Sequence, residues 1–459
     1  MALIKSISGI RGTIGGKPGD TLSPLDVVKF TAAFGTWLMG KEKGKQIVVG
    51  RDGRISGEMV QRIVISTLNA LGLDVIDLGL STTPTVEMAV KFEKAAGGII
   101  LTASHNPKEW NALKLLNHNG EFINAAEGAT VLSIAEKEEF SFASVDDLGS
   151  YTANTTSLQQ HIDAVIQYPL VDADAIAKRN FTIVVDAINS TGAIAVPALL
   201  EALGVQNITV INAEVNGHFA HNPEPLPQHL TQLVTEVKLQ KADVGIAVDP
   251  DVDRLCFVNE DGSLFGEEYT LVAIADYVLQ HRPGNTVSNM SSTRALKDVT
   301  IKNGGEYFPS AVGEVNVVTK MKAVNAVIGG EGNGGIIVPD LHYGRDALIG
   351  IALYLTSLAK SGKSSKALRD SFPDYFISKN KIELQTGVNV QSIFEKIKLK
   401  YKNHPINTED GLKIEFDNDW VHLRTSNTEP IIRIYAESKD EKTSESIALK
   451  IMNDIKENM

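Results

Sequence analysis

A chain of 459 residues that is 43% hydrophobic and 22% charged holds enough material for about three or four ordinary globular domains, each with its own core. With 44 Lys and Arg against 56 Asp and Glu, the net charge of -12 argues against nucleic acid or an anionic membrane as the main partner and leaves room for a small anionic ligand held by locally gathered basic residues. The lone cysteine, Cys256, excludes an internal disulfide and reads as a small buried hydrophobe; with no apolar leader core and no bilayer-length apolar run, the expected compartment is the cytoplasm.

The chain opens with Ser8-Gly9-Ile10-Arg11-Gly12-Thr13, where a glycine-flanked arginine can bring a guanidinium and backbone amides toward an anion. Residues 46–50 read as a strand, Arg51-Asp52-Gly53-Arg54 as the loop above it, and Ser56 as the cap of a helix whose Met59, Val60, Ile63, Val64, Thr67, Leu68 and Leu71 recur at three- and four-residue spacing until Gly72 stops it. Residues 74–78 form the next strand, and Thr83-Pro84 starts a helix in cap-then-proline order. The run 96–100, apolar and bounded by glycines and a proline, predicts a central strand that delivers the polar loop Thr102-Ala103-Ser104-His105-Asn106-Pro107 at its carboxyl end, the rim where open α/β sheets bind ligands. Taken alone, Ser-His-Asn-Pro describes a turn or a cap equally well.

The same order returns as strand 181–185, a polar loop, helix 193–203 and strand 208–211, and a third, weaker version begins at Asn285. This suggests duplicated α/β modules whose loops share one cleft. Polar or Ser/Lys-rich stretches at 136–156, 259–262 and 360–371 place boundaries that give units 1–150, 151–258, 259–372 and 373–459. The last unit differs: residues 413–416 pair with 420–423 across Asp417-Asn418-Asp419, strand 431–436 follows, and a Lys/Glu-rich helix ends it, as in a small α+β domain.

Asp249-Pro250-Asp251-Val252-Asp253-Arg254 is the strongest chemical signal. It follows the apolar run 244–248 and sets three carboxylates at alternating positions, which project to one side of an extended segment and repel unless a cation neutralises them. Oxygen ligands of this kind suit Mg²⁺. A Ca²⁺ EF-hand loop needs glycine where Arg254 stands, so that reading fails; an acidic turn without metal is the plain alternative. Two further loops suit a phosphorylated ligand. Gly329-Gly330-Glu331-Gly332-Asn333-Gly334-Gly335 permits close approach and offers Glu331 to sugar hydroxyls. Arg424-Thr425-Ser426-Asn427-Thr428-Glu429-Pro430, with Arg433 beyond, combines guanidinium forks with short donors as a phosphate clamp would.

In this order and spacing, the segments 102–107, 249–254, 330–335 and 424–430 resemble the four active-site loops of the α-D-phosphohexomutases, and the resemblance covers the whole chain. It implies three related α/β domains with mixed sheets and a smaller C-terminal α+β domain around a central cleft. It implies that Ser104 is a phosphoserine, that Asp249, Asp251 and Asp253 hold Mg²⁺ with it, and that Arg11, His105, Lys114 and Arg254 are the charged and proton-carrying catalytic residues. Glu331 and Asn333 would contact the sugar; Arg424, Ser426, Asn427, Thr428 and Arg433 would hold the non-reacting phosphate. The implied reaction interconverts hexose 6-phosphate and hexose 1-phosphate through a hexose 1,6-bisphosphate, in a monomer or homodimer whose partner is a small sugar phosphate. The opening motif and residues 311–317 resemble the phosphoglucosamine mutase branch, while Ser426-Asn427-Thr428 also resembles phosphomannomutases and phosphoglucomutases. One departure stands out: where many relatives end the sugar loop Ser-Gly-His, this chain has Asn333-Gly334-Gly335, leaving His105 and His342 as candidates to carry the proton. Two other classes stay open. An aspartate-based phosphatase would use Asp249 as nucleophile, and a sugar-phosphate sensor would bind without turnover.

Overall fold

In the computed structural model, which describes residues 3–6, 9–385, 388–426 and 430–457, the strands gather into four sheets, each built from a consecutive stretch of chain. The first contains β1 (Leu3–Ser6), β2 (Gly9–Thr13), β3 (Gln46–Arg51), β4 (Asp74–Leu80), β5 (Gly97–Leu101), β6 (Trp110–Leu116) and β7 (Tyr151–Ala153), in the order β1-β2-β6-β5-β3-β4-β7. β5 lies at its centre, parallel to β3 and antiparallel to β6. Its residues are buried throughout because both faces are covered: Ile99 and Leu101 join the core under helix Pro24–Met39, and Ile100 joins the one under helix Thr83–Phe92.

The second sheet comprises β8 (Thr182–Asp186), β9 (Asn207–Ile211), β10 (Val244–Val248) and β11 (Leu255–Asn259), ordered β11-β10-β8-β9. The third comprises β12 (Thr286–Asn289), β13 (Tyr307–Ser310), β14 (Ile328–Glu331) and β15 (Gly335–Ile337), ordered β13-β12-β14-β15. Each adds one antiparallel strand to an otherwise parallel sheet: β11 on β10, and β15 on β14. The fourth sheet, β16 (Phe376–Glu383), β17 (Ile406–Asn407), β18 (Leu412–Glu415), β19 (Trp420–Thr425) and β20 (Ile431–Ser438), is wholly antiparallel, ordered β16-β20-β19-β18-β17, and packs on helices Val390–Lys400 and Glu441–Lys456. The architecture is thus three α/β units with mixed sheets and a smaller α+β unit.

One apolar core runs continuously through the second and third units, joined by helix Ala347–Ser361, whose residues from Ala347 to Thr356, apolar as far as Leu355, are all buried. The fourth unit keeps a core of its own. Among the described residues no helix is long and apolar enough to cross a membrane.

Three local expectations differ from the structure. Thr82, one residue earlier than expected, caps helix Thr83–Phe92 by accepting from Thr85 N at 3.1 Å. The stretch 136–156 is not all linker: Ser150 N donates to Asp74 Oδ1 at 2.8 Å and residues 151–153 pair with β4, carrying the first sheet past 150. The glycine run after Ile328 is not all loop, since β14 continues to Glu331. Its glycines leave room for close neighbours; a Cβ on Gly329 would lie 2.5 Å from Met321 Sδ.

Candidate active site

All four motif loops occupy one kind of place, the turn between an interior strand and an antiparallel neighbour: β5 to β6, β10 to β11, β14 to β15 and β19 to β20. In the first, Ser104 takes the left-handed conformation, φ 50°, which a non-glycine residue holds only when its surroundings enforce it. The enforcement comes from Arg54, fully buried, whose guanidinium donates to the carbonyls of Ser104, Asn106 (2.7 Å), Pro107 (2.8 Å) and Trp110 (3.0 Å) and whose Nε donates to Asp52 Oδ2 at 2.9 Å. Asp52 Oδ2 also accepts from Thr102 Oγ1 (2.6 Å), which itself accepts from Ser104 N (2.9 Å). The loop is held without use of the Ser104 hydroxyl. That hydroxyl donates to Asp249 Oδ2 at 2.6 Å, and His105 Nδ1 lies 3.5 Å from it.

Asp249 accepts from the amides of Asp253 and Arg254 on Oδ1, each at 3.1 Å, so the loop wraps its own first carboxylate. Carboxylate oxygens of Asp249, Asp251 and Asp253 lie within 4.8 Å of one another, all buried. Lys114 Nζ sits 2.7 Å from Asp251 Oδ2 and 3.4 Å from Asp253 Oδ2, and Thr83 Oγ1 donates to Asp251 Oδ2 at 2.6 Å. Asp251 Oδ1 and Asp253 Oδ1 remain buried with no hydrogen-bond partner among the described residues. Burial and the two neighbouring aspartates push Asp249 well above the usual carboxylate range, whereas Arg345 and Lys114, acting against burial, hold Asp253 below it. Burial alone would lower Lys114; Asp251 and Asp253 raise it, keeping the ammonium charged. Crowded hard oxygens with unfilled lone pairs are what a divalent cation such as Mg²⁺ accepts, so the residues fit a metal site.

Beside this nest lies a cleft of about 250 Å3 lined by His105, Arg254, Glu331, Asn333, Arg424 and Arg433 among others. Arg254 Nη1 stands 3.3 Å from Glu224 Oε1, and its Nε has no hydrogen-bond partner among the described residues. Burial, with Arg254 and Arg11 close by, lowers His105 well below the usual imidazole range, leaving it neutral. Arg11, on β2, reaches the same loop through Nη1 to Asn106 Oδ1 at 2.7 Å. Glu331 accepts from Asn289 Nδ2 (2.9 Å), Gly313 N (3.1 Å) and Arg345 Nη1 (2.8 Å). Asn333 Oδ1 accepts from Gly335 N at 3.2 Å, closing the turn. Arg424 and Arg433 are direct cross-strand partners and both line the cleft, with Arg424 Nε 3.5 Å from Asp410 Oδ2. Ser426 N donates to Ile431 O at 3.1 Å at the base of that turn, and Asn427 and Thr428 lie outside the described residues. His342 is away from the cleft: it is 3% exposed, with Nε2 3.2 Å from Asp346 Oδ2 and Nδ1 3.2 Å from Glu87 Oε2.

Sequence reasoning passed over Arg345. It joins the aspartate loop and the glycine loop, with Nη2 to Asp253 Oδ2 at 2.6 Å, Nη1 to Glu331, and Nε 3.0 Å from Glu314 Oε2. No local pattern marks it. Arg54 stood in a loop noted for its position above a strand, but nothing nearby in sequence announces that it grips residues 104–110.

Four family models match in succession. They are described as Phosphoglucomutase/phosphomannomutase, alpha/beta/alpha domain I (residues 3–142), domain II (159–262) and domain III (266–375), and the C-terminal domain (380–454). A curated relative from Thermococcus kodakarensis, "Phosphoglucomutase/phosphomannomutase", is 38% identical over 453 residues, covering 96% of this chain and 97% of the relative. One from Methanopyrus kandleri, "Probable phosphoglucosamine mutase", is 31% identical over 96% of this chain and 95% of the relative. A crystal structure of a phosphoglucomutase/phosphomannomutase family protein from Burkholderia thailandensis superposes with a TM-score of 0.85 at 26% identity, covering 99% of this chain and 98% of that one.

Proposed function

Because the chain belongs to the phosphoglucomutase/phosphomannomutase family, whose members are isomerases interconverting sugar phosphates, we propose that it converts glucosamine 6-phosphate to glucosamine 1-phosphate through a phosphoserine at Ser104. The observation that carries this reading is the 2.6 Å bond from Ser104 Oγ to Asp249: a serine held in a strained turn by Arg54, with its hydroxyl aimed at a carboxylate nest, supports the reading as a phosphoryl carrier over that as a cap. The phosphatase reading is weakened by the same geometry. Asp249, the nucleophile it needs, is fully buried and has both oxygens engaged, by Ser104 on one side and two backbone amides on the other.

In the proposed cycle, a sugar hydroxyl attacks the phosphorus on Ser104, the bond from Oγ breaks, and the hydroxyl proton passes to neutral His105. The resulting hexose 1,6-bisphosphate turns over in the cleft, Ser104 Oγ takes its other phosphoryl group, and His105 returns its proton to the sugar oxygen released, leaving the isomerised monophosphate. Lys114, Arg11 and Arg254 offset charge on the group in transit, which is what phosphoryl transfer chiefly requires. Glu331 and Asn333 orient the ring, and Arg424, Arg433 and Ser426, with Asn427 and Thr428, grip the phosphate that is not reacting. Asp249, Asp251 and Asp253 would hold Mg²⁺, which supplies further charge neutralisation when bound. The name of the Thermococcus kodakarensis relative favours phosphoglucomutase/phosphomannomutase activity as the second reading.

Phosphopeptide mapping after incubation with hexose 1,6-bisphosphate tests the carrier. Acid-stable phosphate on Ser104 is expected; hydroxylamine-labile phosphate on Asp249 would contradict it.

A further inference from the structure

Four glutamates line the cleft, and three of them stand beside a cation: Glu224 with Arg254 at 3.3 Å, Glu331 with Arg345 at 2.8 Å, and Glu267 with Lys379 at 3.5 Å. Glu268 does not. Among the described residues its only hydrogen bond is to the amide of Thr293, which donates to Oε2 at 2.9 Å; no cation lies within ion-pair distance, and Lys379, paired with Glu267, acts on it from farther off. It occupies the first turn of helix Glu267–His281, whose amino-terminal dipole favours a carboxylate there without neutralising it.

Its position relative to the sugar loop is tight. A Cβ built on Gly332, the residue after Glu331, would lie 1.9 Å from Glu268 Oε2, so the carboxylate rests directly against the backbone of the loop expected to hold the ring. The same short segment fastens both: Ser292 Oγ accepts from Gly332 N at 2.9 Å, and Thr293 N holds Glu268. A carboxyl kept this close to the loop expected to hold the ring, whose nearest cation, Lys379, lies beyond ion-pair distance and is shared with Glu267, favours a substrate that brings its own positive charge, because beside a neutral hydroxyl the buried group stays protonated whereas an ammonium compensates its charge.

We infer that Glu268 is a specificity residue, its carboxylate pairing with the amino group that distinguishes glucosamine phosphates from glucose and mannose phosphates. The inference rests on the sugar-phosphate reading of this cleft and deepens it. Burial pushes the Glu268 carboxyl up to about 8 in the empty cleft, and an arriving ammonium would bring it back to the ionised form.

The test compares kcat/KM for glucosamine 6-phosphate, glucose 6-phosphate and mannose 6-phosphate in the wild-type protein, Glu268→Gln and Glu268→Asp, with Mg²⁺ and a trace of hexose 1,6-bisphosphate. For a charge-assisted contact of this kind, the ratio of glucosamine to glucose kcat/KM should fall about tenfold to a hundredfold in Glu268→Gln. Glu268→Asp, which keeps the charge, should retain most of the preference; a packing role would instead damage all three substrates alike in both variants. A wild type that prefers the amine while Glu268→Gln keeps the same ratio overturns the inference alone. A wild type with no preference for the amine overturns the substrate reading, and the inference with it.

Discussion

Arg345 joins the two halves of the site's chemistry in one side chain. Its guanidinium faces Asp253, Glu331 and Glu314 together; burial opposes the charge, but these carboxylates raise Arg345 well above its ordinary value. Removing one partner of a buried ionic cluster leaves the others uncompensated, a loss of about 3–5 kcal/mol. We therefore expect Arg345→Met to lower stability by roughly that amount in chemical denaturation and to lose turnover, with Arg345→Lys intermediate because one ammonium cannot reach three carboxylates at once. A variant as stable as wild type would contradict this arrangement. At this scale the sequence spoke clearly where a residue sits in a dense polar motif, as Ser104 and the three aspartates do. It was silent about Arg345, whose partner Asp253 is 92 positions away and whose own neighbours are unremarkable.

The recurring element is the turn between an interior strand and its antiparallel neighbour. At the third such turn, Gly332→Ala places a methyl group into the Glu268 carboxylate, the end of a flexible side chain that must swing aside to admit it. We expect the sugar loop to shift and KM to rise about tenfold or more, read from steady-state kinetics; an unchanged KM would show that the loop tolerates displacement. A second joint lies behind the cleft, where helix Thr83–Phe92, helix Ser157–Ile166 and the start of helix Ala347–Ser361 meet. His161 Nε2 is 2.9 Å from Asp346 Oδ2, His342 bridges Asp346 and Glu87, and Asp346 Oδ1 caps its helix at Leu348 N, 2.8 Å. Burial works against the charge on His342, but Asp346 and Glu87 raise it from 6.5 to about 9. Unfolding releases that proton above pH 6.5, so the stabilisation is complete below about 6.5 and is lost as pH rises through 9. The thermal midpoint should accordingly fall more steeply between pH 6.5 and 9.5 in the wild type than in His342→Gln; parallel slopes would contradict the assignment. The parallel strands and the hairpin 413–423 were legible from apolar runs and turn residues. The continuation of β14 through glycines was not, because glycine reads as loop until a neighbour such as Met321 is known to fill its space.

Across the whole molecule, the second and third units share an apolar core, while the fourth meets the third through polar contacts. His422 Nδ1 stands 2.9 Å from Ser291 Oγ, Lys413 Nζ donates to Met290 O at 2.9 Å, and Arg294 N donates to Glu437 Oε1 at 2.9 Å. Polar seams of this kind separate at lower cost than a continuous core, which suits the proposed cycle, in which the last unit would grip the non-reacting phosphate while a bisphosphate turns over. The four-unit organisation could be read from repeating patterns and motif order. How the units dock could not, since contacts such as Ser291 with His422 join single polar residues 131 positions apart. The central claim, that Ser104 passes phosphoryl groups between two positions of one sugar, is tested most directly by ³¹P NMR of the protein with Mg²⁺, glucosamine 6-phosphate and a trace of hexose 1,6-bisphosphate. A 1-phosphate resonance should grow with wild type and be lost, by at least about a thousandfold in rate, with Ser104→Ala. Growth of inorganic phosphate instead, or a 1-phosphate formed equally well without the Ser104 hydroxyl, would contradict it.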